Sequence, residues 1–414
     1  MSVRTDAPPH SPTAAASPYA GRRIAWLAVL AVLMLVPVTL PVTVLRGLVQ
    51  ERFAVSEFLT SLFMSINMIG AFLAAPLAGA AADRFGRRVP FIVSALALDA
   101  LLFFALTLDV TFPVFLALRF AEGCTHIIAL SLLLGLASNA RDAEQRGRVM
   151  GLVGGGITLG VALGAPLGGV IGAENALVPL YVGGALVALA ACVAAVVLRE
   201  VQGDERRPGL GEILATIREH RLLLAPLAFA FADRFTVGFY TTTFSLFLSR
   251  IHGLSPPQIG LQMALFMLPF ALLSYPFGRL SERVSRVGMI AIGSAIYGVA
   301  TIAVGFCPAP VLPFLMLGLG VVSAVMFVPS LLITSDATPE AVRTTSMGAF
   351  NAAGSLGFII GPLVGGWVSE SVAASAGWAQ GYRVAFGVAG VSELVCVAVS
   401  LPFLLRLVRM GKTT

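Results

Sequence analysis

Along most of this chain the apolar residues run in long unbroken blocks, where an amphipathic helix of a water-soluble protein would show a stripe at every third or fourth position. A block must reach about 20 residues for a helix to cross ~30 Å of hydrocarbon. Read with a window of about 19 residues, such blocks fall at 24–46, 57–80, 89–108, 111–137, 147–171, 177–198, 222–249, 258–279, 288–306, 310–334, 346–369 and 382–405. They predict an all-α membrane protein of twelve transmembrane helices. Residues 1–21, rich in Ser, Pro and Ala, read as a disordered tail, and the block beginning at Ile24 is too long for a signal-peptide core. The longest internal polar stretch, 199–221, carries Asp204-Glu205-Arg206-Arg207 and then an amphipathic segment from Glu212 to His220. It reads as a linker whose amphipathic part either lies along the membrane surface or docks a regulator. The expected plan is a tail 1–21, a six-helix half 22–198, the linker 199–221, a second half 222–406 and a tail 407–414.

Composition agrees with this pattern. Hydrophobic residues make up 57% of the chain and charged residues 12%, against about 25% charged in soluble domains, which excludes a water-soluble fold. A net charge of +6 would suit nucleic acid, so the placement of the basic residues decides its meaning. Of 27 Arg and Lys, 21 fall on the termini and the loops on their side, while the opposite loops hold Arg46, Arg52, Arg250 and Arg383. By the positive-inside rule both termini are cytoplasmic, and no nucleic-acid partner is needed. Basic residues that are Arg at every position but Lys412, with abundant Ala and Gly, point to a bacterial chain and so to the plasma (inner) membrane. Cys124, Cys192, Cys307 and Cys396 lie too far apart for a zinc site or thiol pair, so no metal and no cofactor is expected.

The chain repeats itself at about half its length. Gly79 and Asp83 match Gly278 and Glu282 at an offset of 199, and Met150-Gly151 match Met347-Gly348 at an offset of 197. Gly160, Gly164, Gly168 and Gly169 match Gly357, Gly361, Gly365 and Gly366, again at 197. Duplicated halves flanking a site near the bilayer midplane are a transporter architecture, with rocking of the halves giving alternating access.

Three motifs sharpen this reading. The segment Gly79-Ala80-Ala81-Ala82-Asp83-Arg84-Phe85-Gly86-Arg87-Arg88 joins spans 2 and 3 and closely resembles the signature loop of the major facilitator superfamily. Span 5 carries Gly160-x-x-x-Gly164-Ala165-Pro166-Leu167-Gly168-Gly169, similar to that family's antiporter motif with Pro one place late; span 11 keeps the spacing at Gly357, Gly361, Pro362, Gly365 and Gly366. Close helix packing by glycine with a proline kink is an equally available physical reading of both. Span 4 holds Arg119-Phe120-Ala121-Glu122-Gly123, similar to the family's Arg-x-x-x-Gly motif, whose arginine is linked to proton coupling. The resemblance, most like the twelve-helix drug:proton antiporter branch, implies two pseudo-symmetric six-helix halves and a substrate cavity lined by spans 1, 4, 7 and 10. It also implies a conformational latch at Asp83, a carboxylate favoured against a helix N-terminus, within the set Gly79, Asp83, Arg84, Gly86, Arg87 and Arg88.

Six charged residues fall inside spans: Asp99, Arg119, Glu122, Asp233, Arg234 and Glu393. Exposure to lipid at ~2.5–3.5 kcal/mol each would cost roughly 15–20 kcal/mol together, so they face a wet cavity or one another. Arg119, Glu122 and His126 project from one helical face. Asp233 and Arg234, being adjacent, point about 100° apart, one toward the cavity and the other toward a neighbouring helix. His126 suits either a proton relay or a structural hydrogen bond, and Asp99 and Glu393, on spans 3 and 12 that the resemblance implies are peripheral, favour a buried bond to another helix. Tyr240 joins Arg119, Glu122, His126, Asp233 and Arg234 as a candidate for proton coupling or the substrate cavity, with Thr39, Thr43, Asn67, Thr241 and Asn351 ranked lower. Span 1 lacks an acid, so Glu122 or Asp233 is expected to carry the proton.

These features predict a monomeric secondary transporter in the lipid bilayer, driven by the proton gradient and exporting a small amphipathic or drug-like compound. The alternative is proton-coupled transport of an organic anion, sugar or lysolipid, with Arg119 and Arg234 as counter-charges. No nucleophile elbow, phosphate loop or paired metal spacing supports an enzyme.

Overall fold

The computed structural model describes residues 22–85, 87–138, 143–200, 210–336 and 343–411, and among these every regular element is helical. The first half holds α1 (Arg22–Thr39), α2 (Glu57–Phe85), α3 (Val89–Ala105), α4 (Phe112–Ser138), α5 (Ala143–Ile171) and α6 (Val178–Val197). After the linker helix α7 (Leu210–Glu219), the second half holds α8 (Leu224–Thr241), α9 (Thr243–Ile251), α10 (Pro256–Leu280), α11 (Arg286–Val304), α12 (Leu312–Asp336), α13 (Arg343–Ala376) and α14 (Trp378–Gly411). With α8 and α9 counted as one crossing, 11 described spans are long and apolar enough to cross a membrane. The remaining crossing is α3, an apolar helix of 17 residues, about 26 Å long at 1.5 Å per residue and prolonged by a turn.

Helix and hydrophobic block do not coincide everywhere, and the differences have local causes. The block expected at 222–249 is two helices, because the backbone breaks at Thr242 (φ −133°, ψ −70°). Three consecutive threonines stand there, and Thr241 turns its hydroxyl back onto the Gly238 carbonyl at 2.8 Å, a bond that competes with the helix ladder. The first block ends as α1 at Thr39 and continues as a 3-10 turn over Leu40–Thr43, where Pro41 lacks the N–H that an α-helix would use. Conversely, α2 runs through Asp83 to Phe85, so the expected signature loop is helical for most of its length. Its Ala80-Ala81-Ala82 run is the strongest of helix formers, and the helix outlasts the apolar block.

Helix starts are fixed by local chemistry. α10 begins with a capping box of Ser255 and Gln258 that brackets two prolines, and α11 with Ser285, whose hydroxyl accepts the Gly288 N–H. α3 is capped from a distance: the Glu200 carboxylate, beyond α6, accepts the N–H of Arg88 at 3.0 Å and of Val89 at 2.8 Å. A carboxylate there satisfies free donors and the helix dipole together.

The halves repeat in their packing as in their sequence. α1 lies on α5, α2 on α4 and α3 on α6, and in the second half α8 lies on α13, α10 on α12 and α11 on α14. Across the interface α5 packs on α10 and α2 on α13, again an equivalent pair. The glycine ladders explain the first of these contacts. A Cβ at Gly156, Gly160, Gly164 or Gly168 would strike α1 or the residue after it, and one at Gly354, Gly357 or Gly361 would strike α8.

The linker helix docks on the second half. Ile213 and Ile217 pack with Leu223, Leu227, Ala230, Ala349 and Phe350, beside the start of α8 and of α13, which gives the amphipathic face a protein partner.

Candidate functional site

At mid-depth in the first half, α2, α3 and α4 bring together a polar cluster that apolar blocks alone would not disclose. Arg119 is fully buried and pairs through Nη1 with Glu122 Oε2 at 2.8 Å, while its guanidinium lies over the Phe63 ring, 4.7 Å from the centroid. Asn67 of α2 donates its side-chain amide to the same Glu122 oxygen. One helical turn on, His126 Nδ1 meets Asp99 Oδ2 of α3 at 3.2 Å, and Thr125 donates to the Glu122 carbonyl at 2.9 Å and lies 3.2 Å from Asp99 Oδ1. Two donors of Arg119, Glu122 Oε1 and His126 Nε2 are buried without a partner among the described residues.

The cluster depends on a close approach of α2 and α4. A Cβ at Gly123 would strike the Asn67 carbonyl and one at Gly70 the Phe120 carbonyl, so glycine at both positions lets Asn67 reach Glu122. Asp99 makes the inter-helix bond anticipated for it, and its partner is a member of the candidate cluster. Asp99, Glu122 and His126 also offer three ligand atoms within 4.8 Å of one another, the one such group among the described residues. Arg119 already sets a cation against Glu122 there.

In the second half, Asp233 and Arg234 point apart. Arg234 lies between Phe327 of α12 and Phe350 of α13, 5.3 Å from each ring centroid. Asp233, whose charge acts on its neighbour Arg234 and on Glu393 of α14, has a buried Oδ1 with no hydrogen-bond partner among the described residues. Glu393 is fully buried, with the Thr236 hydroxyl of α8 as its neighbouring polar group, the inter-helix interaction anticipated for it. The expectation that Tyr240 faces the cavity is not met. It is enclosed by Phe244, Phe266, Tyr297 and Phe386 and bonded to the Thr301 hydroxyl at 3.2 Å, because its face of α8 turns into the second half's own core.

Of the latch motif, Gly86 and the side chains of residues 77–85 lie outside the described residues. Arg87 is exposed, and Arg88 donates through Nη1 to the Gly135 carbonyl of α4 at 3.0 Å. The paired glycines of the other motif divide their work. Gly168 abuts Leu40 in its own half, whereas a Cβ on Gly169 would strike Pro256 of the other half. Gly365 likewise abuts Phe239 and Thr243 of its own half, whereas a Cβ on Gly366 would fall 2.9 Å from Ser61 Cβ across the interface. Pro166 packs across the interface too, 3.0 Å from the Cβ that Gly260 lacks. Pro362 instead stays in its own half, where its Cδ lies 2.6 Å from the Cβ that Gly238 lacks.

Sequence reasoning missed one site altogether. Glu57, the first residue of α2, is 1% exposed and reaches into the other half at the end of the bundle opposite the chain termini. It pairs with Arg250 Nε of α9 at 3.0 Å, accepts from the Tyr382 hydroxyl of α14, and lies 3.3 Å from the Ser369 hydroxyl of α13. Arg250 stacks 3.9 Å from the centroid of Trp378. Beside it the Phe58 N–H donates to Glu370 at 2.9 Å, and deeper down the Ser65 hydroxyl donates to the Ile359 carbonyl at 2.8 Å. These bonds and the glycine contacts above join the halves from mid-depth to that distal end. Only the isolation of one acid at the border of a span signalled Glu57, and a helix start is where an acid attracts least notice.

Comparison with known proteins bears on the whole chain. The family model described as Major Facilitator Superfamily matches residues 24–247 and 226–413. The chain is 30% identical over 150 residues to Multidrug resistance protein 1 of Bacillus subtilis (strain 168), covering 36% of this chain and 38% of that protein. To Multidrug resistance protein 2 of the same organism it is 24% identical over 275 residues, 63% of this chain and 64% of the relative. The match thus spans less than two thirds of either relative. A crystal structure of a bacterial homologue of the human lysosomal transporter Spinster, in an inward-facing and occupied conformation, superposes with a TM-score of 0.79 at 16% identity over 95% of this chain and 98% of that one. At that identity the likeness is one of fold.

Proposed function

Because this chain belongs to the major facilitator superfamily, we propose that it exports a small amphipathic solute by alternating access, in exchange for protons, across a bacterial plasma membrane. The observation that carries the coupling is the Arg119–Glu122–Asn67 set joined to the Asp99–His126 pair. Charged Glu122 holds Arg119. A proton arriving at Glu122 weakens that pair and leaves a buried guanidinium short of its counter-charge, a state too costly to persist. Relief comes from rearranging α4 against α2, and α2 carries Glu57 into the inter-half seal. His126, 8% exposed beside Asp99, is the polar route by which a proton enters.

The direction rests on sidedness. With the basic, tail-bearing end cytoplasmic, the distal seal faces outside and closes the protein to that side. On the cytoplasmic stretch of α5, Gly151, Gly154 and Gly155 have nothing among the described residues within 4 Å of the position a Cβ would occupy, which supports an approach open from the cytoplasm. An exporter waits for its solute in that state. The relatives called multidrug resistance proteins favour efflux.

Purified protein in vesicles, given an imposed pH gradient, tests the coupling. Glu122→Gln is expected to lose gradient-driven accumulation while retaining downhill exchange, and Asp233→Asn to keep the pH dependence. If both variants transported with the pH dependence of the unmodified protein, proton coupling at these carboxylates would be discarded.

A further inference from the structure

The two intramembrane arginines differ in a way that bears on what is carried. Arg119 has no exposed surface and already holds Glu122. Arg234 is partly exposed, and no carboxylate among the described residues lies within ion-pair distance of it. Its Nη1 is buried with no hydrogen-bond acceptor among the described residues. Asp233, adjacent in sequence, lies about 100° around the helix, and its charge reaches Arg234 without an ion pair between them. A cation kept this way is costly unless something completes it.

The surroundings of Arg234 hold it in place, and beyond the field of the adjacent Asp233 they give it no bonded counter-charge among the described residues. Phe327 and Phe350 flank the guanidinium at 5.3 Å, and Phe270 of α10 extends the aromatic wall with its ring centroid 5.5 Å from that of Phe327. Below it is Gly354, where a Cβ would lie 2.6 Å from Nε, so only glycine leaves the side chain this berth. Aromatic faces hold a guanidinium by its flat sides and leave its N–H edge to an acceptor. A planar carboxylate matches that edge with two parallel bonds, and the rings offer an apolar body a surface to lie on.

We propose that Arg234, framed by Phe327 and Phe350, is the recognition site for the carboxylate of the transported solute, which is an amphipathic organic anion with an aromatic or similarly apolar body. The inference rests on the reading that an amphipathic solute crosses between the halves, and it adds the sign of its charge. It does not depend on the direction of transport or on the proton site.

Equilibrium binding to the full chain in lipid nanodiscs, without any gradient, is the test. The probes are 2-naphthoate, its neutral amide 2-naphthamide and the cationic 2-naphthylmethylamine, followed by calorimetry and by thermal shift. Naphthoate is expected to bind at least tenfold more tightly than the amide or the amine. Arg234→Gln should abolish that preference, Arg234→Lys should keep a weakened one, and Phe327→Leu should weaken all three probes alike. Equal binding of amide and carboxylate by the unmodified protein, no binding of naphthoate up to millimolar concentration, or a preference that survives Arg234→Gln would each overturn the proposal. Loss of proton coupling in the vesicle assay with the carboxylate preference intact would remove the coupling reading and leave this one standing.

Discussion

Gly123 shows how one residue can decide whether a charged cluster forms. Its missing Cβ lets the Asn67 backbone of α2 approach α4, and through that approach Asn67 reaches Glu122. Gly123→Ala is expected to force the helices apart and lower stability by about 1–3 kcal/mol, the usual cost of overpacking, read as a lower melting temperature in detergent. Gly151→Ala meets nothing among the described residues within 4 Å and should be neutral or slightly stabilising, since alanine is the better helix former. Equal effects at the two sites would refute the packing account. At this scale the sequence disclosed Arg119, Glu122 and His126 as one face of a helix, because that depends only on residues three and four apart. It did not disclose that Asp99 belongs with them, since that pairing joins two helices 27 residues apart in the chain. Nor did it show that Tyr240 turns away from the cavity, because which face of α8 meets its own half depends on where α11 and α14 lie.

Among the elements, the linker helix α7 is the clearest case of a pattern with two readings. Its apolar stripe suits a membrane surface or a protein groove equally, and only the presence of α13 beside α8 supplies the groove filled by Ile213 and Ile217. Ile217→Ser should undock the helix at a cost of about 1–2 kcal/mol for the lost burial, and hydrogen exchange over residues 210–219 should rise several-fold. Unchanged protection would place α7 in the lipid interface instead. The glycine ladders were legible from their spacing of four, and their repetition at an offset of 197 gave the correspondence of α5 with α13. Their division between the two interfaces was not legible. Gly168 and Gly169 differ by one residue, and whether that step of about 100° meets α1 or the opposite half is a property of the assembled bundle.

For the whole molecule, the distal seal is the feature with the widest consequence. Glu57 is buried among Arg250, Tyr382 and Ser369 of the other half, and removing one partner of a buried pair costs about 3–5 kcal/mol. Set against the ~1.4 kcal/mol that changes an equilibrium tenfold, Arg250→Leu should shift the balance toward an outward-open form by about two to three and a half decades. Spin labels at Leu108→Cys and Val311→Cys, both exposed at the distal end, should then report a longer distance in Arg250→Leu and in Glu57→Gln. An unchanged distance distribution in both variants would show that the seal does not depend on this pair. The proposed sidedness has its own check: a fluorescent protein fused after Thr414 should fluoresce and a phosphatase fused there should be inactive, and the reverse result would turn the molecule over in the membrane.

The sequence by itself determined which segments cross the bilayer, that they come in two related sets, and the short-range faces on which Arg119, Glu122 and His126 stand. Crossing hydrocarbon is a sum over consecutive residues, and a helical face is a matter of three- and four-residue spacing, so both are written locally. Only the tertiary structure decided which charges meet and which are left open. Glu57 and Tyr382 lie 325 residues apart, and Arg119 and Arg234 read alike as intramembrane arginines. What separates them is the burial and the partners each acquires once the helices pack, and the energy of a charge is set by those surroundings rather than by its neighbours in the chain.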